Sequence, residues 1–306
     1  VRLMLYSLLK SGAANLQAPQ RCVLCHDLAK QLYLCADCAL LMARLQIGNE
    51  ACPLCAKPSL QAAVCGDCQQ HPPHFDRLWA SYYLDWPLHS VIAEFKYQQH
   101  WSHARALAAW MSIAPPPWLQ TVALDGVLAM PLSRVRLLER GYNQAALLVQ
   151  EMPILASLIS TPLNGLAVER QHRPPQSTLK HAQRMQNIRH VFQVKDDVNK
   201  RNLLLIDDVV TTSATLNELA RTLKTAGAAT VSCWVLAEVR DQRAPGLYLR
   251  SEGVLPLVRV RAAAQREGLC PSLDRPHRGH DAPGPLNGCE VYRWLTETWR
   301  RSCRWA

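Results

Sequence analysis

Leu203-Leu204-Leu205-Ile206-Asp207-Asp208-Val209-Val210-Thr211-Thr212-Ser213-Ala214-Thr215 decides the fold. Four apolar residues, an acidic pair and a run of small hydroxyl residues precede a helical pattern that reaches Lys224, with Gly227 as its stop, and this order reads as strand, loop and helix. Val231 to Leu236 follows as the next buried strand, which makes a βαβ unit and requires a parallel sheet. Small residues let backbone N–H groups approach an anion, and a helix N-terminus adds partial positive charge. A phosphate is therefore expected at Thr211, Thr212, Ser213, Ala214 and Thr215. Just upstream, Asp207 and Asp208 are acceptors for the 2′- and 3′-hydroxyls of a ribose, directly or through magnesium. Taken singly, an acidic pair merely ends a strand and threonines merely cap a helix.

A second strand is expected at Gly126-Val127-Leu128-Ala129-Met130, entering Pro131-Leu132-Ser133-Arg134-Val135-Arg136-Leu137-Leu138-Glu139-Arg140-Gly141-Tyr142-Asn143-Gln144 as a loop. Loops at the carboxyl ends of parallel strands form the rim where α/β proteins bind ligands. Arg134, Arg136 and Arg140 there would clamp a pyrophosphate through charge-assisted hydrogen bonds, or would simply form a solvated basic face. Asn143 and Gln144 read as the cap of a helix beginning near Gln144. Residues 77 to 113 predict an edge strand, Leu78 to Leu84, and a helix from about Leu88 to Ile113 with a weak point near Gln98. Lys96 in that helix reads as a surface residue. A basic, proline-broken segment from Glu169 to Asn187 contains Arg170, Arg173 and Arg184, and strand character resumes at Phe192 to Val194.

Eight of twelve cysteines fall in four Cys-x-x-Cys pairs: Cys22/Cys25, Cys35/Cys38, Cys52/Cys55 and Cys65/Cys68. Each half has nine residues between its pairs and the unit repeats at a period of 30, so this is an internal duplication. Two such turns supply four soft ligands to one tetrahedral ion, and about two structural zinc ions are expected per chain. Disulfides and iron–sulfur ligation are the alternatives. Sequential pairing keeps each repeat self-contained, whereas a cross-braced site would join Cys22/Cys25 with Cys52/Cys55; spacing leaves both open. A stretch this short depends on metal for its folding energy, and loss of a ligand is expected to leave the downstream domain folded.

The apolar run with its acidic pair and hydroxyl loop resembles the fingerprint of the type I phosphoribosyltransferases. Pro131-Leu132, the spaced arginines, Arg140-Gly141-Tyr142-Asn143-Gln144 and the paired cysteine modules narrow the resemblance to the ComF/GntX family, over roughly residues 20 to 238. The resemblance implies an α/β fold: a type I phosphoribosyltransferase-like parallel sheet flanked by helices, with an N-terminal double zinc-ribbon module. In domain terms it implies an N-terminal segment (1–20), the double ribbon (21–70), the phosphoribosyltransferase-like domain (77–238) and a disordered or non-native tail (239–306). It also implies phosphoribosyl pyrophosphate with magnesium as ligand. Asp207 and Asp208 would hold the ribose, Thr211 to Thr215 the 5′-phosphate, and Arg134 and Arg136 the leaving pyrophosphate. The Glu169–Asn187 segment takes the place of a flexible hood, and Lys96 matches a family lysine. Ser213 departs from the fingerprint, which has glycine there, and serine tolerates the required backbone angles poorly. The family's link to DNA uptake and utilisation admits two roles. One is a phosphoribosyltransferase acting on an unidentified base; the other is a protein that binds phosphoribosyl pyrophosphate or a nucleotide and touches single-stranded DNA or DNA-uptake proteins.

Composition bounds these readings. The chain has 306 residues and a formal net charge of +10, which favours anionic partners. No apolar run reaches the length of a membrane span, and Val1 to Leu9 only faintly imitates an export signal, so a cytoplasmic location is expected. Beyond Glu238 the character changes: residues 241–306 hold eleven arginines and no lysine, without a sustained period of either kind, which is why they are read as a tail.

Overall fold

The computed structural model describes residues 20–158, 168–172 and 189–239, apart from residues 30 and 49. The expectations for the N-terminal segment, for Arg173, Arg184 and Asn187 in the hood, and for the tail beyond Val239 lie outside the described residues.

The strands are β1 (Arg77–Tyr83), β2 (Gly126–Ala129), β3 (Val168–Arg170), β4 (Phe192–Val194), β5 (Asn202–Val210) and β6 (Thr230–Glu238). Four of them form one parallel sheet in the order β1-β6-β5-β2. A strand buried on both faces sends alternate residues to opposite layers. Leu204 and Ile206, with Trp234 and Leu236, face one core; Leu203 and Leu205, with Val231, Cys233 and Val235, face the other. Helices α3 (Leu88–Tyr97) and α4 (His103–Ile113) fill the first core through Ile92, Phe95, Leu107 and Trp110. On the opposite side, α8 (Ala214–Thr225) fills the second through Leu216, Leu219 and Leu223.

Two local expectations change, and the weak point near Gln98 is borne out. The strand read as ending at Ile206 continues to Val210, because β6 pairs with it as far as Val210 opposite Glu238. The acidic pair therefore belongs to the strand and not to a solvated loop. The helical stretch from Leu88 to Ile113 is two helices, interrupted at the weak point near Gln98 where Gln99 adopts φ 57°, which lets both apolar faces meet the same side of the sheet. The arginine loop is the short helix α5 (Arg134–Arg140): the Ser133 hydroxyl accepts from the Arg136 N–H, and Gly141 ends the helix at φ 79°. After it come α6 (Gln144–Gln150) and α7 (Pro153–Leu158); β3 and β4 pair antiparallel as a small separate sheet.

Helices α1 (Ala36–Leu45) and α2 (Gly66–Gln70) belong to the cysteine repeats. Past α1 the chain lies along the outer edge of β1, with Gln46 bridged to Tyr82 and the Ile47 N–H donating to the Ser81 carbonyl at 3.1 Å. A sheet edge is thereby covered. Trp110 Nε1 donates to the Leu32 carbonyl at 2.8 Å, and Cys22, Leu24, Leu34, Cys38 and Met42 share the core of Trp110 and Leu107. Cys52, Cys55 and Cys68 cluster by themselves. The expectation of a module independent of the downstream domain fails for the first repeat, whose apolar residues are part of that domain's core. Among the described residues no helix is long and apolar enough to cross a membrane.

Candidate functional site

Each cysteine repeat is built from two turns. In the first turn of each, the Cys22 carbonyl accepts from the His26 N–H at 2.8 Å and the Cys52 carbonyl from the Ala56 N–H at 2.9 Å, with His26 and Ala56 both at positive φ. In the second turn, Cys35 and Cys65 immediately precede α1 and α2. The sulfurs of Cys22, Cys25, Cys35 and Cys38 lie within 4.8 Å of one another, and so do those of Cys52, Cys55, Cys65 and Cys68. The pairing is sequential. Crowding splits the thiols: the Cys38 hydrogen bond holds Cys22 down to about 4, while burial pushes Cys25 up to about 12. Clustered soft donors of which one ionises readily suit a divalent soft cation, and both four-cysteine sets fit structural zinc.

The second site lies where β5 meets α8, a cleft of about 140 Å³. It is lined by Asp207, Asp208 and the Thr211–Thr215 loop, facing Gln144, Arg140 and Arg170. The Thr211–Thr215 loop leads into a helix of 12 residues, whose first-turn N–H groups have no acceptor within the helix. Ser213 caps it at φ 53° and ψ 2°, the left-handed conformation for which glycine is the permissive residue. Ser213→Gly is expected to raise stability by about 0.5–1 kcal/mol by removing the Cβ penalty. A phosphate at Thr211–Thr215, the expectation from sequence, should bind the variant more tightly, and paired thermal melts and titrations check both; an unchanged melting temperature would mean that the serine is accommodated without strain.

The two carboxylates differ. Asp208 is 6% exposed, and its Oδ1 lies 3.0 Å from Lys96 Nζ. Asp207 has no such direct partner: burial first, and the charge of Asp208 second, push it up to about 8, against the opposing pull of Lys96 and Arg170. A carboxyl raised above its unfolded value contributes stability that is full below the unfolded pKa and is lost as pH rises through the folded one. The ligand-free protein should therefore lose stability between about pH 4 and 8. Asp207→Asn should flatten that slope in melts taken across the range; an equal slope in the variant would assign it to other groups, of which Glu238, also raised to about 8 by burial, is the first to test.

Gln144 is 3% exposed, and its Nε2 has no partner among the described residues. Its neighbour Asn143 is satisfied locally, with Oδ1 accepting from the Ala146 N–H and Nδ2 donating to the Met130 carbonyl at 3.0 Å. An unmade buried donor costs about 1–3 kcal/mol, and Gln144 is among the residues that line the cleft.

Of the residues read from sequence, the structure brings Asp207, Asp208, Thr211, Thr212, Ser213, Ala214 and Thr215 together. Arg134 and Arg136 stand on α5, off the wall of the cleft, with Arg134 exposed. The cations on the wall are Arg140, whose guanidinium lies 5.7 Å from the Tyr97 ring centre, and Arg170, which donates to the Pro131 carbonyl at 3.3 Å. Sequence reading placed Lys96 on the surface. The signal against that was present: Leu88, Val91, Ile92 and Phe95 form the buried stripe of α3, and Lys96 follows Ile92 by one turn on the same face.

Residues 13–69 match the Double zinc ribbon domain model, and residues 140–255 match the Phosphoribosyl transferase domain model, a match that extends past Glu238, where the sequence reading ended the likeness. The chain is 32% identical over 184 residues to Competence protein F of Haemophilus influenzae, an overlap of 79% of that protein and 58% of this one. The chain belongs to the ComF family. Other relatives of this ComF-family chain are the DNA utilization protein YhgH of Salmonella typhimurium, 30% identical over 98% of its length and 72% of this chain, and Competence protein ComFC of Streptococcus pneumoniae, 27% identical over 86% of its length and 66% of this chain. Among solved structures, a Trypanosoma cruzi hypoxanthine phosphoribosyl transferase is similar at 12% identity and a TM-score of 0.27, covering 49% of this chain and 70% of that one, a likeness too slight to build on.

Proposed function

We propose that this ComF-family protein binds a phosphoribosyl group, as phosphoribosyl pyrophosphate or a nucleotide, and serves the uptake or utilisation of DNA. The unpartnered Gln144 amide carries the reading, because it is a buried donor facing the same cleft as the α8 N-terminus and the carboxylate pair. Phosphate at Thr211–Thr215, ribose hydroxyls at Asp207 and Asp208, and an acceptor oxygen for Gln144 account for each polar group that faces the cleft. Arg140 and Arg170 add the positive charge that a polyphosphate requires. The DNA-related role rests on the names of the relatives, two of which are competence proteins and one a DNA utilization protein. Zinc ribbons would then serve as scaffold, since all four ligand positions in each are protein thiols and none is left for a substrate.

Titration of the zinc-loaded protein with phosphoribosyl pyrophosphate and with nucleoside monophosphates tests the pocket, and binding of neither class discards the reading. Pyrophosphate release on adding free nucleobases separates a transferase from a binding protein. In the transferase case Arg134 and Arg136 would have to reach the leaving group from α5, so Arg134→Ala would lower turnover more than affinity.

A further inference from the structure

The carboxylate pair already has its cation. Lys96 Nζ stands 3.0 Å from Asp208 Oδ1, and the two side chains are only 19% and 9% exposed. The ammonium is held there by packing: α3 buries Leu88, Val91, Ile92 and Phe95 against the core, and the Tyr142 hydroxyl donates to the Phe95 carbonyl beside it. Phe95 and Tyr142 also meet ring to ring at 5.7 Å. Tyr142 belongs to the segment that carries Arg140 and Gln144, so Lys96 is fastened to the same wall as they are.

A charge inventory follows. Two carboxylates face Lys96, Arg140 and Arg170, and the charges of Lys96 and Arg170 both act on Asp207. A divalent magnesium ion needs an excess of negative oxygen ligands, and this cleft has an excess of positive charge. Magnesium at the carboxylate pair does not fit the site with Lys96 in place. An anionic ligand does, and Asp208 Oδ2 is left to accept a ribose hydroxyl, since Oδ1 takes both Lys96 and the Val209 N–H at 2.7 Å.

We infer that Lys96 is the resident counter-cation of the Asp207–Asp208 pair, so that this protein binds ribose 5-phosphates, including nucleoside 5′-monophosphates, without a divalent metal. The inference rests on the phosphoribosyl-pocket reading and narrows its ligand class to monophosphates that carry no pyrophosphate to be chelated. Removing the ammonium leaves two adjacent carboxylates with less compensation, and a divalent cation then becomes useful. Lys96 is thus a positioning residue that sets the metal requirement of the pocket.

Calorimetric titration with ribose 5-phosphate and with adenosine 5′-monophosphate tests this, in buffer either free of magnesium or containing it in excess. No chelator is added, so that the ribbons keep their zinc. The wild-type chain should bind with affinities that agree within about threefold between the two buffers. Lys96→Met should lose about tenfold or more without magnesium and recover part of the loss with it, whereas Lys96→Arg keeps metal-free binding. Wild-type binding that needs magnesium overturns the inference and leaves the pocket reading standing; so does a folded Lys96→Met chain that binds equally in both buffers at wild-type affinity. Failure of both probes in both buffers overturns the pocket and the inference together. The wild-type comparison decides the matter even where Lys96→Met does not fold.

Discussion

Cys22→Ser is expected to unfold far more than the ribbon that contains it, lowering stability by about 3–5 kcal/mol and the melting temperature by roughly 10 °C. Cys22 is fully buried and shares one core with Leu24, Leu34, Met42, Leu107 and Trp110. Loss of one thiolate releases the ion, the loops that the ion held together open, and the apolar surface of Trp110 and its neighbours loses its cover. The hydrogen bond from Trp110 Nε1 to the Leu32 carbonyl is lost with it. Cys52→Ser should be milder, about 1–2 kcal/mol, because Cys52, Cys55 and Cys68 cluster apart from the sheet. Its damage is not nil: Ala51 and Ala56 of the same repeat touch the core of Phe75 and Leu78. Metal analysis should show a fall from about two zinc ions to about one in both variants, while calorimetry separates them. Equal melting temperatures would show that the first repeat is as detachable as the second.

The second large effect concerns the acidic pair. On the proposed ribose assignment, Asp207→Asn with Asp208→Asn should weaken ribose phosphate binding at least about 100-fold, which is about 2.7 kcal/mol, since both proposed carboxylate acceptors become amides. The single variants should move stability in different directions. Asp207 is raised to about 8, so at neutral pH it is already largely protonated, and asparagine replaces it with little cost and with a gain in alkali. Asp208→Asn strands the Lys96 ammonium in a site where its side chain is 19% exposed, and should cost about 2–3 kcal/mol. Titrations and melts of the two single variants and the double variant check this. Unchanged affinity in the double variant would remove the ribose from this pair. Equal stability losses in the two single variants would mean that Lys96 serves both carboxylates alike.

Much of this was legible in the chain. Leu203 to Ile206 and Val231 to Leu236 announce buried strands because a strand covered on both faces is apolar throughout, and that is a local property of composition. The hydroxyl loop before α8 is local for the same reason, as is the strain at Ser213, where the serine that replaces the family glycine adopts φ 53°. The four cysteine pairs and their 30-residue period determined the ligand inventory of the metal sites. Helix α5 was missed because its residues bury nothing, so no apolar stripe revealed it. Lys96 was misjudged by residue type, a lysine being read as solvent-facing although its position on α3 was that of a core residue.

What only the tertiary structure decided is which segments meet. Sequential ligation is a matter of four sulfurs converging, and spacing permitted two arrangements. The acidic pair became part of the sheet because β6 pairs with β5 as far as Glu238, a register set between strands and not within one. Lys96 reached Asp208, and Arg140 and Arg170 took the cleft wall in place of Arg134 and Arg136, through the packing of α3 and the turn at Gly141. Likewise the first ribbon joined the core because Trp110 of α4 packs against it. Periodicity and spacing act over one or two turns of chain and so determine elements and ligand types. Contacts between distant segments depend on the shape in which all the elements pack together, and there the charge partners of the site are chosen.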